Sequence, residues 1–334
     1  MIIIRADANP NIGMGHIMRC LSVADSFAAS GHKVVFLLAD DGVEGLVKGR
    51  GYEAIVLHTD YTKMEEEVWP EIAAELIIVD SYYVTAKYLE RLRQKSKLVY
   101  IDDILSFPYP VDILVNYNAY DPFAGYQHLY ENSGVEEPRF ILGSTYAPLR
   151  AMFRGLPKKE RKREVENVLI STGGSDAEHV ALRIIEAHPT ARTYHLLLGN
   201  MNEDKERIKA LAKGNPYIAL HQNVTDMKTL ICSMDLAVSA AGSTLYEICA
   251  CGVPLITYVL ADNQIPGAEA FEKLGLAVNL GDMREVEDPS QLILSSIEEL
   301  AENYERRVEV GQKMQSMIDG FGADRMVEEI MKTT

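Results

Sequence analysis

The sequence predicts an α/β protein made of two successive doubly wound units, and three observations carry that expectation. Short apolar runs alternate with segments of helical period from residue 2 onward. The alternation breaks at a charged run, residues 158–163 (KKERKR), and then restarts. The first strand opens into a helix through Gly13-x-Gly15-His16, as a loop at the carboxyl end of a parallel strand would.

Taken in order, residues 2–4 read as a buried strand, and Ile17, Cys20, Leu21, Ala24 and Phe27 form the apolar stripe of the helix that follows. Residues 33–39, 53–57 and 76–80 read as strands, 84–95 as a helix, and 97–102 and 113–115 as further strands. Such alternation implies βαβ units and a mostly parallel sheet. In the second half, 167–171, 193–198, 218–221, 236–239 and 254–259 read as strands, and 177–187, 224–233, 245–251 and 268–274 as helices. The tail, 297–331, reads as helical. The expected division is an N-terminal unit over 1–155, a C-terminal unit over 165–315, and a terminal helix over 316–334 that packs back across the hinge. Run 158–163 reads as a solvated linker, or as a docking patch. Open parallel sheets bind ligands beyond the carboxyl ends of their strands, so a cleft between the units is the expected binding place.

Composition narrows the function. A hydrophobic content of 47% and a net charge of −16 fit a globular protein without a broad nucleic-acid or anionic-membrane surface. The four cysteines, Cys20, Cys232, Cys249 and Cys251, lack zinc-type pairing and read as reduced thiols. With no signal-type N-terminus and no run of membrane-spanning length, the expectation is a cytoplasmic monomer with no nucleic-acid or membrane partner.

The loops between these elements hold the chemistry. Gly13-x-Gly15 lacks the third small residue of a dinucleotide fingerprint, because Met18 stands there, and this disfavours NAD. Its glycines serve either a tight turn or an anion site. His16 follows directly, and imidazole is the side chain whose unperturbed pKa lies near neutrality, so it is the candidate general base. Ser171 to Asp176 includes Gly173, Gly174 and Ser175. A second Gly/Ser loop includes Gly242, Ser243 and Thr244 and leads to Glu247. Ser175 with Glu178, and Thr244 with Glu247, fit capping boxes; alternatively the loops offer bare amides and hydroxyls to a pyrophosphate, and Glu247 accepts ribose hydroxyls. Asn263 and Gln264, Asn116 and Asn118, and Tyr82 either shape their turns or hold sugar hydroxyls and amides. Arg150 is either an ordinary ion-pair partner or a phosphate or carboxylate contact.

Together, Arg5-x-Asp7, Gly13-x-Gly15-His16-x-x-Arg19, Asp80-x-Tyr82, Asn116-x-Asn118-Ala-Tyr120, Tyr146-x-x-x-Arg150, Gly173-Gly174-Ser175-Asp176, the loop running to Glu247, and Asn263-Gln264 resemble a known family. It is that of the UDP-2,4-diacetamido-2,4,6-trideoxy-β-L-altropyranose hydrolases of pseudaminic acid biosynthesis, with relatives in spore-coat polysaccharide synthesis. The resemblance covers nearly the whole chain. It implies a GT-B architecture, UDP held mainly by the C-terminal unit, the sugar facing the N-terminal one, and His16 orienting or deprotonating the attacking water. It implies no metal and no cofactor. Met14 between the glycines and the long C-terminal extension depart from the family pattern and leave the exact sugar open.

Physical chemistry then gives an expected mechanism. UDP leaves as a stabilised anion, so it needs electrostatic stabilisation more than protonation, and two helix N-termini beside the Gly/Ser loops are expected to supply it. His16 takes a proton from water attacking the anomeric carbon, which inverts that centre; Asp7 is the candidate to orient the imidazole. The alternatives are a UDP-sugar glycosyltransferase, a non-catalytic nucleotide-sugar sensor, and a 2-epimerase.

Overall fold

The computed structural model describes residues 1–9, 12–174, 176, 178–199 and 201–332. The chain divides into two compact units, Met1–Ala151 with Phe321–Thr334, and Met152–Gly320.

In the first unit, aliphatic runs make the strands and amphipathic stripes make the helices between them. The order is β1 (Ile2–Ala6), α1 (Gly15–Ala29), β2 (Val34–Leu38), α2 (Glu44–Gly49), β3 (Glu53–Val56), β4 (Leu76–Asp80), α3 (Ala86–Arg93), β5 (Lys97–Ile101), β6 (Ile113–Asn116), α4 (Phe123–Tyr130) and β7 (Arg139–Leu142). The sheet order is β3-β2-β1-β4-β5-β6-β7, with every pairing parallel. β1 and β4 are neighbours in register Ile4↔Ile78 and Ala6↔Asp80, so the strand order reverses between them. That switch point is where open α/β sheets place their ligands. One sheet face, carrying Ile3, Ile77, Val79, Leu98 and Tyr100, packs with Tyr88, Leu89 and Leu92 of α3. α1 packs on β1 and β2.

The second unit runs β8 (Asn167–Ser171), α5 (Val180–Glu186), β9 (Thr193–Leu197), α6 (Lys205–Ala212), β10 (Ile218–His221), α7 (Met227–Cys232), β11 (Leu236–Ala240), α8 (Thr244–Cys251), β12 (Leu255–Val259), α9 (Ile265–Lys273), β13 (Ala277–Asp282), α10 (Pro289–Glu302) and α11 (Tyr304–Met317). Its parallel sheet has the order β10-β9-β8-β11-β12-β13. Val168, Ile170, Leu196, Val238, Ile256 and Tyr258 form one buried face with Ile184, Ile208 and Ile293. The tail expected as one helical stretch is three helices, since α12 (Gly322–Met331) follows separately. Asn303 caps α11 by accepting from Arg306 N, and Gly320 has φ +85 where Phe153 O would lie 2.1 Å from any Cβ. α12 packs against α1 in the first unit. Among the described residues no helix is long and apolar enough to cross a membrane.

Run 158–163 is mostly exposed, as its charge suggests, but it lies inside the second unit and two of its cations are tied down. Lys159 Nζ donates to Cys232 O at 2.5 Å and Arg161 Nη2 to Gly252 O at 2.9 Å. Cys232 ends α7 and Gly252 follows α8, so these cations satisfy carbonyls at helix C-termini, where positive charge is favoured. Lys162 and Arg163 offer their carbonyls to the buried Arg307 guanidinium of α11.

Buried charge also organises the first sheet. Arg5 is fully buried; its Nε donates to Glu67 Oε1 at 3.0 Å and its Nη1 to Asp7 Oδ2 at 2.5 Å. Glu67 Oε2 accepts from Tyr88 Oη at 2.8 Å and Trp69 Nε1 at 3.0 Å. Burial would lower the Arg5 pKa, but Asp7 and Glu67 outweigh it and hold the guanidinium charged.

The α5 start differs from expectation. Asp176 and His179 both have φ +55, so regular helix begins only at Val180. The buried Asp176 carboxylate accepts from Val180 N, Ala181 N and Asn202 Nδ2 at 3.0, 3.0 and 3.2 Å. Burial pushes its pKa up to about 6 in spite of those donors.

Three outcomes check this packing. Arg5→Met leaves Glu67 and Asp7 buried without their cation and is expected to cost about 3–5 kcal/mol in urea unfolding. Gly199→Ala, whose Cβ would stand 2.1 Å from Gly174 O, is expected to cost about 1–3 kcal/mol by forcing the 173–174 backbone to move. Because the folded pKa of Asp176 is raised, the stability it confers is full below about pH 3.9 and lost as pH rises through about 6. Urea titrations of Asp176→Asn should lack that loss, a difference of about 3 kcal/mol between pH 4 and pH 7.

Candidate active site

Four adjacent strands of the first sheet, β1, β4, β5 and β6, deliver their carboxyl-end residues to one cluster around His16. Gly13, with φ +74, donates its N–H to Asn9 O at 2.8 Å, a left-handed turn that glycine accommodates without strain. Gly15 is the first residue of α1, and His16 follows in its first turn, 3% exposed.

His16 Nδ1 lies 2.6 Å from Asp80 Oδ1. Arg19, one turn along α1, grips the same carboxylate with Nε to Oδ2 and Nη2 to Oδ1, both at 2.5 Å, and Cys20 Sγ donates to Oδ2 at 3.4 Å. Asp80 is completely buried at the end of β4. Burial would raise its pKa, but Arg19 and His16 overcome this and hold it well below the usual carboxylate range. The Arg19 guanidinium, lowered by burial, is raised further by Asp80, Tyr117 and Asp103 and stays charged. An ionised carboxylate accepts only, so the 2.6 Å contact requires the proton on Nδ1. The approach of Arg19 Nη2 to Nδ1 at 3.0 Å is then donor beside donor, not a bond. His16 Nε2 is left with the lone pair, the form a general base needs.

Tyr82 stands edge-on to the imidazole, ring centroids 4.4 Å apart, and its hydroxyl donates to Asp103 Oδ2 at 3.3 Å. Arg19 Nη1 also donates to Asp103 Oδ2 at 3.1 Å, and to Tyr117 Oη at 3.0 Å. Asn118 follows on the β6 exit, its N–H donating to Asn116 Oδ1 at 3.0 Å and its Nδ2 to Tyr120 Oη at 3.4 Å. Asn116 itself is fully buried and donates to Tyr126 Oη at 3.0 Å, so it shapes the turn. Arg150 is half-buried near the end of this unit's main segment, after the turn Ser144–Tyr146.

One expectation is corrected here. Asp7 does not orient His16: its carboxylate accepts from Arg5 Nη1 and from Ala39 N, and Asp80 holds the imidazole. Arg19, Asp103 and Tyr117 complete a network whose members were not assigned from sequence. The readable signal was an acidic residue, Asp80, ending the apolar run LIIVD.

In the second unit, three loops lie at the carboxyl ends of the neighbouring strands β8, β11 and β12. Gly173 (φ +83) and Gly174 are exposed, their carbonyls resting on Gly199. Ser175 lies outside the described residues. Ser243 is exposed and holds the cap position of α8 without a side-chain cap bond, so Thr244 of the alternative capping-box reading lies inside the helix; Glu247 stands half-buried in its first turn. Asn263 is exposed in the turn Asp262–Gln264, and Gln264 Oε1 accepts from Leu260 N at 2.9 Å, which shapes that turn. The expectation of two available helix N-termini is also corrected. The Asp176 carboxylate already occupies the first amides of α5, which leaves α8 beside Ser243 as the open end. Among the described residues no group of three or more metal-type side chains converges.

Comparisons with known proteins place this geometry. The chain is 26% identical over 232 residues to the UDP-2,4-diacetamido-2,4,6-trideoxy-beta-L-altropyranose hydrolase of Campylobacter jejuni, covering 68% of this chain and 80% of that protein. It is 21% identical over 334 residues to the spore coat polysaccharide biosynthesis protein SpsG of Bacillus subtilis, covering 96% and 95%. A Helicobacter pylori protein named as both pseudaminic acid cytidylyltransferase and that same hydrolase is 24% identical over 79% of this chain. The chain spans about half the length of two curated relatives, 45% of the H. pylori protein and 56% of one from Methanocaldococcus jannaschii. Relatives bearing the hydrolase name thus agree with the resemblance seen in the motifs. Among solved structures, the calicheamicin glycosyltransferase CalG4 matches with TM-score 0.67 at 17% identity, covering 99% of this chain and 97% of that one. Acinetobacter baumannii MurG matches with TM-score 0.66 at 15% identity, covering 99% of both chains. The fold is therefore the GT-B type of α/β architecture. A family model described as the glycosyltransferase family 28 C-terminal domain matches residues 140–321, more than half of the 334, and the chain belongs to that family.

Proposed function

We propose that this protein hydrolyses a UDP-linked diacetamido-trideoxy hexose at its anomeric carbon, releasing UDP and the free sugar with inversion. The observation that carries the reading is the imidazole of His16, held by the ionised Asp80 with its Nε2 lone pair unbonded to that clamp. The name carried by the C. jejuni and H. pylori relatives supports the sugar class.

The chemistry needs one base. UDP departs as an anion of a stable acid, so a carboxylic acid to protonate the leaving oxygen is dispensable, in contrast to ordinary glycoside hydrolysis. His16 Nε2 takes a proton from water as its oxygen bonds to C1; the C1–O bond to the β-phosphate breaks and the electron pair leaves with UDP. Imidazolium at His16 is stabilised by Asp80 in the manner of a His–Asp pair. Around His16 one cation, Arg19, faces two carboxylates, Asp80 and Asp103. That excess of negative charge disfavours a diphosphate and suits the neutral donors of a sugar. The reading assigns UDP to the second unit: Gly173, Gly174 and Ser243 present exposed backbone, Glu247 takes the ribose, and Asn263 supplies uncharged polar contacts. Ser175, Arg150 and Gln264 complete the proposed set, with Gly13 and Gly15 shaping the loop that carries His16 and with Tyr82 and Asn118 toward the sugar. Nothing in the proposed chemistry calls for a metal or cofactor.

A second reading rests on the family match itself: a glycosyltransferase, in which His16 deprotonates an acceptor hydroxyl in place of water. Both readings break the same C–O bond, so the acceptor decides between them.

The test is incubation with UDP-2,4-diacetamido-2,4,6-trideoxy-β-L-altropyranose in ¹⁸O-water without acceptor. UDP release with label in the sugar and none in UDP is expected; release that begins only when an acceptor is added identifies a transferase. His16→Ala should lower kcat by about 10²–10⁴-fold. Asp80→Asn, whose amide no longer specifies the Nδ1–H tautomer, should lose a comparable factor with KM little changed.

A further inference from the structure

We infer that Asp103 is a substrate-contacting residue whose Oδ1 accepts a hydrogen bond from an N–H or O–H of the sugar moiety held beside His16. The inference rests on the functional reading above.

Three carboxylates stand at the carboxyl edge of β4 and β5, and two are saturated. Asp80 accepts from His16 Nδ1, twice from Arg19, and from Cys20 Sγ. Asp102 accepts from Tyr109 Oη at 2.9 Å, Tyr126 Oη at 2.7 Å, Ile104 N at 3.2 Å and Leu105 N at 3.1 Å. Asp103 differs. Its Oδ2 takes Arg19 Nη1 and Tyr82 Oη, while its Oδ1 is buried and has no donor among the described residues. A buried acceptor without a donor is costly and uncommon, and at the edge of a candidate site it points to a ligand group.

Its surroundings say which group. Oδ2 is tied to the two side chains that touch the imidazole: Tyr82 through its ring and Arg19 through the shared Asp80 clamp. The carboxylate is thereby fixed in position next to the reacting residue. An ionised carboxylate accepts and cannot donate, so its partner carries hydrogen. Phosphate oxygens offer none at neutral pH and are repelled, whereas hydroxyl and acetamido groups of an amino sugar offer O–H and N–H. Asp103 therefore reads donor groups on the sugar and contributes to choice of sugar, because a site built to accept from such groups rejects sugars that lack them.

Calorimetry on the full chain separates this role from others. In a His16→Ala background, which prevents turnover, Asp103→Asn is titrated with UDP-2,4-diacetamido-2,4,6-trideoxy-β-L-altropyranose and with UDP alone. The amide can keep its oxygen toward Arg19 and Tyr82 while turning an N–H toward the sugar donor. The expected result is about tenfold or greater weakening for the UDP-sugar with unchanged affinity for UDP. Asp103→Ser serves as the second variant if melting shows that the first is unfolded. Equal affinities in parent and variant overturn the assignment, as does an equal loss for both ligands. A parent that binds the UDP-sugar no more tightly than UDP also overturns it. A variant with His16 intact whose kcat falls at constant KM makes Asp103 a positioning residue, which contradicts the contact. None of these readouts depends on whether water is the acceptor, so failure of hydrolysis and failure of this contact remain distinguishable.

Discussion

One buried carboxylate sets the chemistry of the first unit. Asp80 ends a strand in the middle of a seven-stranded sheet, has no access to water, and accepts from an imidazole, a guanidinium and a thiol. A lone aspartate there would protonate, because burial favours the neutral acid. Arg19 prevents this, and the ionised carboxylate then dictates which nitrogen of His16 holds the proton. Arg19 and His16 sit three residues apart on α1, so one helical turn presents both to the same partner. The Gly13–Gly15 turn starts α1 at the residue that makes this geometry reachable.

The two units divide charge differently. Near His16 the carboxylates outnumber the cation. In the second unit the loops after β8 and β11 present exposed glycine and serine, while the loop after β12 carries the exposed Asp262, paired with Arg284. Asp176, in the loop after β8, is turned into the protein and holds the start of α5.

Much of this was legible in the sequence. Strands β4, β8 and β10 match the sequence reading to the residue; in β4 and β8 continuous Ile, Leu and Val runs bounded by polar residues admit few other interpretations. β7 and β13 were missed. Their runs are short and hold Arg139 or Gly281, and their pairing comes from neighbouring strands rather than local propensity. α6 was missed because its apolar stripe is sparse. His16 could be singled out from its position after two glycines. Its orienting residue could not, since Asp7 and Asp80 both end or follow strands, and only the β1-β4 pairing decides which reaches the imidazole. At 158–163 charge marks a mostly exposed run, but it does not show that Lys159 and Arg161 close helix ends.

Base catalysis by His16 depends on the protonation pattern of its ring. Nitrogen-15 NMR of the histidine-labelled protein at pH 9 measures it directly. A proton on Nδ1 of His16 and an unprotonated Nε2, with Asp80→Asn disturbing that preference, is the predicted result. A neutral ring carrying its proton on Nε2 in the unaltered protein would contradict the account, because the nitrogen assigned to activate water would then have no lone pair to offer.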